Sequence, residues 1–205
     1  MIQNPKTFWN GIAKQPDWKS YILPRENDAD FNAEGLAEAQ RLFYFFDGKS
    51  TVVDYGCGIG RVTQYIAERA GYVVGLDICQ DFLHVAGTLI RRNNVAFFQA
   101  DEYPRENVAD LVYCLMVMQH NDAENRLKIM SHIHRLLINS GVAVVSFPRV
   151  ESSYYQEGPF VHKFTRKEVM VLALPFRYCW ITEGNLPGYN GKPDGDNEYF
   201  LTAIK

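Results

Sequence analysis

The run Val52-Val53-Asp54-Tyr55-Gly56-Cys57-Gly58-Ile59-Gly60-Arg61 places a carboxylate, three glycines and a cysteine directly behind and within an apolar stretch. Glycine at 56 and 58 lets the chain turn sharply and lets a ligand lie against bare backbone, while Gly60 lets a following helix pack close. A second carboxylate, Asp77, ends Val73-Val74-Gly75-Leu76 just before Ile78, 21 positions after Gly56. An acidic side chain at such a place accepts the two hydroxyls of a ribose. Asp101 and Glu102 close the run Gln99-Ala100, and a carboxylate there suits the amino group of an adenine. Taken singly, each aspartate is equally explained as a turn or helix-cap residue. Three on successive strand ends are harder to explain that way.

Two common phosphate-binding patterns fail on this stretch. A dinucleotide fingerprint needs glycine at position 61, which is Arg61, and the Gly-Lys-Ser/Thr ending of a P-loop is missing. Cys57 has no histidine beside it in sequence to generate a thiolate, so nucleophilic chemistry is not expected of it. His120, after Leu115-Met116-Val117-Met118-Gln119, is the first candidate for a general base at an acceptor site. Packing at the start of the next helix, beside Asn121-Asp122, explains it as well. His132 and His134, two apart on a helix, point to different faces, and no metal is expected.

These residues need a scaffold that brings strand ends together, and the periodicity supplies one. Strands are expected at Thr51–Tyr55, Tyr72–Leu76, Val95–Ala100, Leu111–Met116, Val142–Phe147, Phe176–Thr182 and Tyr199–Ile204. Helices are expected at Arg61–Ala70, Gln80–Arg92 and Ala123–Ile138, the last ending at Asn139-Ser140-Gly141 with glycine in the left-handed position. Thr165 and Glu168 form a capping box for a final helix, with Phe164 stapled onto Val169. Alternating strands and helices give an α/β fold, a mainly parallel doubly wound sheet covered by helices on both faces. The last two strands, joined by the turn-rich stretch 185–195, should be antiparallel.

At 205 residues, 47% of them hydrophobic, the chain is long enough for one buried core. The apolar run from Leu111 to Met118 is far short of the roughly 20 residues a membrane span requires. No secretory signal opens the chain, and its four cysteines lack CxxC spacing, so a cytoplasmic protein with reduced, mostly buried thiols is expected. A formal charge of −3 favours no nucleic-acid partner.

Four motifs carry a family resemblance: Val52 to Arg61, Gly75-Leu76-Asp77-Ile78, Ala100-Asp101, and Asp110-Leu111-Val112-Tyr113. On them the chain resembles class I S-adenosylmethionine-dependent methyltransferases, strongly over about residues 50 to 150. The resemblance implies a Rossmann-like sheet of seven strands with the last antiparallel, S-adenosylmethionine as cofactor, and a methyl acceptor as partner. It also implies that Asp77 holds the ribose, that Asp101 faces the adenine with Glu102 beside it, and that Asp54 lies near the methionine ammonium. Gly56, Cys57, Gly58, Gly60, Arg61 and Ile78 complete the expected cofactor contacts, and the backbone of Leu115 and Met116 lines the sulfonium side. A nucleoside joined to a zwitterionic amino acid carries no phosphate, which suits bare backbone and carboxylates.

Residues 1–48 are expected to form a helical leader, its Phe8-Trp9 and Tyr21-Ile22-Leu23 resembling those of bacterial members, and 49–205 the methyltransferase domain with a lid at 149–163. Trp9, Tyr21, His120, Tyr154 and Tyr155 are the candidates to line the acceptor, most simply a nitrogen or oxygen of a small molecule. A DNA amino-methyltransferase would need an Asp/Asn-Pro-Pro-aromatic motif where Leu115 to Met118 stand, and a cytosine C5 enzyme a Pro-Cys pair. Protein N-terminal methyltransferases share the pattern of Gly58 to Arg61 and of Asp77 to Leu83, so that reading stays open. So do a catalytically silent adenosylmethionine binder and a dehydrogenase.

Overall fold

The computed structural model describes residues 4–18, 21, 28–152, 161–184 and 197–205. The chain divides into two compact units, 4–104 and 105–205.

The first unit opens with helix α1 (Pro5–Ile12), for which Asn4 is the N-cap, accepting the Thr7 N–H at 3.0 Å, with Pro5 in the first turn. Helix α2 (Asp28–Leu42) runs into a short 3-10 turn at Phe43–Phe45. Strand β1 (Thr51–Tyr55), helix α3 (Thr63–Ile66), strand β2 (Tyr72–Asp77), helix α4 (Gln80–Leu89) and strand β3 (Val95–Gln99) follow. β1 pairs parallel with β2, Val53 opposite Val74, and β2 parallel with β3, Leu76 opposite Phe98. Val52 to Tyr55 and Val73 to Leu76 are buried without alternation, as in a parallel sheet covered on both faces.

The expected helix over Arg61–Ala70 contracts to the single turn of α3. Beyond it the backbone bonds switch between i−4 (Ala67 to Thr63, Ala70 to Ile66) and i−3 (Glu68 to Tyr65, Arg69 to Ile66). The carbonyls left over at Ala67 and Ala70 are taken by one side chain, Asn94 Nδ2, at 3.0 and 3.1 Å. A distant asparagine thus does what further helical turns would otherwise do.

The second unit holds strand β4 (Ala109–Cys114), a 3-10 turn at Met118–His120, helix α5 (Ala123–Leu136), strand β5 (Leu137–Pro148), helix α6 (Arg166–Leu172), strand β6 (Tyr178–Glu183) and strand β7 (Glu198–Ile204). β4 and β5 are parallel, and β7 is antiparallel to both β5 and β6. The sheet has seven strands in the order β3-β2-β1-β4-β5-β7-β6. The Rossmann-like architecture expected from the sequence, with its antiparallel closing pair, is therefore the observed one.

Several boundaries differ from expectation. β4 ends at Cys114, which leaves Leu115 and Met116 in the following loop. α5 stops at Leu136 and passes straight into β5, and the residue with positive φ is Ser140 (68°), not Gly141. Gly141 serves close approach instead, since a Cβ there would lie 2.9 Å from the Ala109 carbonyl oxygen. The Thr165–Glu168 capping box is formed in full: Glu168 N–H donates to Thr165 Oγ1 at 3.3 Å, and Thr165 N–H to Glu168 Oε2 at 2.8 Å. The turn-rich stretch 185–195 lies outside the described residues.

Candidate active site

Within the first unit the glycine loop and the tip of β2 form one tied structure. Gly56, Gly58 and Gly60 all adopt positive φ, at 85°, 53° and 82°, where a side chain would strain the backbone. The N–H groups of Gly56 and Cys57 both donate to the Leu76 carbonyl, at 2.6 and 3.0 Å. The Asp77 carboxylate completes the junction, Oδ2 accepting from Gly58 N–H and Oδ1 from Cys79 N–H, each at 2.8 Å. Asp77 therefore shapes the loop as well as standing at its expected position on the strand end.

The glycines serve different ends. A Cβ on Gly58 would meet nothing within 4 Å, so that position faces open space. A Cβ on Gly60 would stand 2.3 Å from Ile90 Cδ1, so this glycine lets the chain pack against the end of α4. Gly75 is crowded in the same way, with Phe97 Cδ1 at 2.4 Å and Cys57 Sγ at 3.0 Å from its missing Cβ.

Electrostatics at the loop are strained. Burial pushes the Asp77 carboxyl above its usual range, opposed by the N–H groups of Cys79, Gly58 and Ile78. The Cys57 thiol is pushed well upward, first by burial and then by the charges of Asp54 and Asp77. It is a protonated, packed thiol and not a nucleophile. Asp54, buried on β1, accepts the Thr63 hydroxyl at 2.5 Å.

Arg61, only 8% exposed, turns away toward α2: its Nη2 donates to Glu38 at 2.7 Å, and its guanidinium stands 5.6 Å from the centre of the Phe31 ring. Gly35 permits this approach, since a Cβ there would lie 2.6 Å from the Arg61 carbonyl oxygen. Arg61 Nη1 is buried without an acceptor among the described residues.

At the end of β3, Asp101 and Glu102 are exposed, and Asp101 Oδ2 is paired with Lys6 Nζ of α1 at 2.7 Å. Trp9 of the same helix and Trp18 just beyond it rest on Phe82 of α4, ring centres 6.4 and 5.6 Å apart. Trp9 is thus engaged in pinning the leader, while Tyr21 is exposed.

In the second unit, the loop after β4 is fastened at nearly every residue. Met116 holds a positive φ of 58°, uncommon for a side-chain-bearing residue, and its N–H donates to the hydroxyl of buried Ser146 on β5 at 3.0 Å. The Val117 carbonyl accepts from His120 N–H and Asn121 Nδ2, the Met118 carbonyl from Arg126 Nε, and the Gln119 carbonyl from His162 N–H at 2.9 Å. Leu115 and His120 are half-buried beside this turn, and Asp122 caps α5 by accepting the Asn125 N–H. Tyr154 and Tyr155, with the body of the expected lid, lie outside the described residues.

Lys6, Glu38, Thr63 and Ser146 had not been singled out from the sequence. Ser146 carried a signal, as the one hydroxyl inside the apolar run Val144-Val145-Ser146-Phe147. Lys6 and Glu38 had none, because each meets its partner across 95 and 23 residues.

Residues 52–141 match the methyltransferase-domain family. The chain is 31% identical over 103 residues to phosphoethanolamine N-methyltransferase of Plasmodium falciparum, covering 47% of this chain and 38% of that protein. It is 24% identical over 143 residues to the ubiquinone biosynthesis O-methyltransferase of Rickettsia typhi, covering 68% and 54%. Among solved structures, phosphoethanolamine N-methyltransferase 1 of Haemonchus contortus, in complex with phosphoethanolamine and S-adenosylhomocysteine, superposes with a TM-score of 0.70 at 20% identity, over 97% of this chain and 48% of that one. The chain thus spans only part of the length of these relatives. Among the described residues, no helix is long and apolar enough to cross a membrane.

Proposed function

We propose that this chain, whose residues 52–141 match the methyltransferase-domain family, is a class I S-adenosylmethionine-dependent methyltransferase that binds S-adenosylmethionine on its glycine loop and strand-tip carboxylates. Bound there, the cofactor would supply an activated methyl for in-line transfer to a nitrogen or oxygen of a small molecule, with a neutral thioether leaving.

The residues present fit that cofactor. Gly58 faces open space with its backbone bare, and Asp77 keeps lone pairs for ribose hydroxyls after accepting two N–H groups. Hydroxyl donors there would relieve a carboxylate whose charge burial disfavours. Asp101 accepts the adenine amino group, with Glu102 and Ile78 beside it. Asp54 offers an anion to the cofactor's ammonium, while Arg61, ion-paired with Glu38, supports the glycine loop from the side of α2. Backbone at Leu115 and Met116, fixed by Ser146, serves the sulfonium side.

The chain's own task is then chiefly alignment, which can offset on the order of 7 to 11 kcal/mol of barrier. His120 takes the proton from an acceptor that arrives protonated. A small-molecule acceptor is supported by the relatives, named for phosphoethanolamine and for ubiquinone biosynthesis.

The observation that carries this reading is the Asp77 carboxylate bonded to the N–H of a glycine whose side-chain direction is empty. Calorimetric titration with S-adenosylmethionine, followed by transfer of its labelled methyl to a panel of small amines and phenols, tests it. Binding with transfer is expected; binding without transfer to any member would contradict the catalytic half.

A further inference from the structure

Lys6 and Asp101 are joined by a 2.7 Å ion pair although 95 residues separate them. Both side chains are substantially exposed, 38% and 45%, so as a tie between elements the pair contributes little. Helix α1 has sturdier anchorage: an asparagine N-cap, buried Ile12, and the two tryptophans against Phe82. The pair is therefore not needed to hold α1 in place. Its geometry matters more to the carboxylate. A carboxylate offers about four lone-pair positions on two oxygens. Lys6 engages Oδ2, which favours rotamers of the carboxylate that keep this oxygen toward α1 and leaves Oδ1 to accept from another donor.

We infer that Lys6 is a positioning residue for recognition of the cofactor's base: by holding Asp101 in one orientation it directs Oδ1 at the amino group of an adenine. The inference rests on the S-adenosylmethionine reading given above. It assigns to the leader, through one side chain, a share in distinguishing adenine from other purines.

The test uses S-adenosylhomocysteine and S-inosylhomocysteine, in which a carbonyl replaces the adenine amino group, titrated into wild type, Lys6→Met and Lys6→Arg. All carry Trp180→Phe, leaving Trp9 and Trp18 to report, through acrylamide quenching, whether α1 remains docked. Wild type is expected to prefer the adenine ligand by about tenfold or more, the loss that follows when a charged acceptor faces no donor. Lys6→Met should narrow that preference by about threefold with quenching unchanged, and Lys6→Arg should restore it. A preference ratio unaltered in Lys6→Met overturns the inference, even if both affinities fall together, because loosening of α1 would weaken both ligands alike. Failure of wild type to bind S-adenosylhomocysteine at all would instead overturn the cofactor reading, and this inference with it.

Discussion

The Asp77 carboxylate accepts the Gly58 N–H at 2.8 Å through one oxygen and the Cys79 N–H at 2.8 Å through the other, so the residue expected to hold a ribose also holds the glycine loop. Asp77→Ala should weaken S-adenosylhomocysteine binding by the equivalent of roughly 1 to 3 kcal/mol, the usual loss for a hydrogen-bonded charged partner. Calorimetry measures it, and unchanged affinity would remove Asp77 from the site.

The two glycines at 58 and 60 should respond oppositely to alanine. At Gly58 the new methyl meets no protein atom, so Gly58→Ala costs only the strain of a left-handed alanine, about 1 to 2 kcal/mol, while occupying the space a ligand needs. At Gly60 the methyl lands on Ile90 as well, and overpacking adds about 1 to 3 kcal/mol. Urea denaturation should therefore find Gly60→Ala the less stable variant, and cofactor titration should find Gly58→Ala the poorer binder for its remaining stability. Equal effects in both assays would contradict this division.

For His120→Ala, methyl transfer to a responsive amine or phenol should slow by about 10²-fold or more if the imidazole removes the acceptor's proton. Affinity for S-adenosylhomocysteine should stay near wild type. An intact rate would make the histidine a packing residue of the turn before α5.

Stability should fall on mild acidification. His132 has its pKa lowered from 6.5 by burial and then by Arg135, and His134 by burial and then by Lys205. Both bind fewer protons folded than unfolded, so their contribution is complete above pH 6.5 and is lost as pH drops below it. Thermal melts between about pH 7.5 and 5 should show a decline that shrinks in the His132→Gln/His134→Gln double variant. An undiminished slope would assign the decline to other groups.

The alternation of strands and helices, the closing antiparallel pair and the capping box of α6 were legible because each depends on local pattern: apolar runs, a missing helix between strands, a threonine three residues before a glutamate. Asp77 and the glycines could be read for the same reason, since strand ends are marked by where the apolar run stops. What escaped depended on partners distant in sequence. The helix after Gly60 is a single turn, and Asn94 takes the carbonyls of Ala67 and Ala70 beyond it, which no periodicity reports. Arg61, expected among the cofactor contacts, is buried against Glu38 and Phe31. Ser140 rather than Gly141 takes the left-handed conformation, and the glycine instead admits the close approach of the Ala109 carbonyl on β4.

One titration bears most directly on all of this: wild-type protein in a calorimeter, with S-adenosylhomocysteine in one run and NAD in another. Saturable, one-to-one heat with the first and none with the second is the predicted result. Silence with S-adenosylhomocysteine, or saturable heat with the dinucleotide, would contradict the claim that bare glycine backbone and strand-tip carboxylates are built for a phosphate-free adenosyl amino acid.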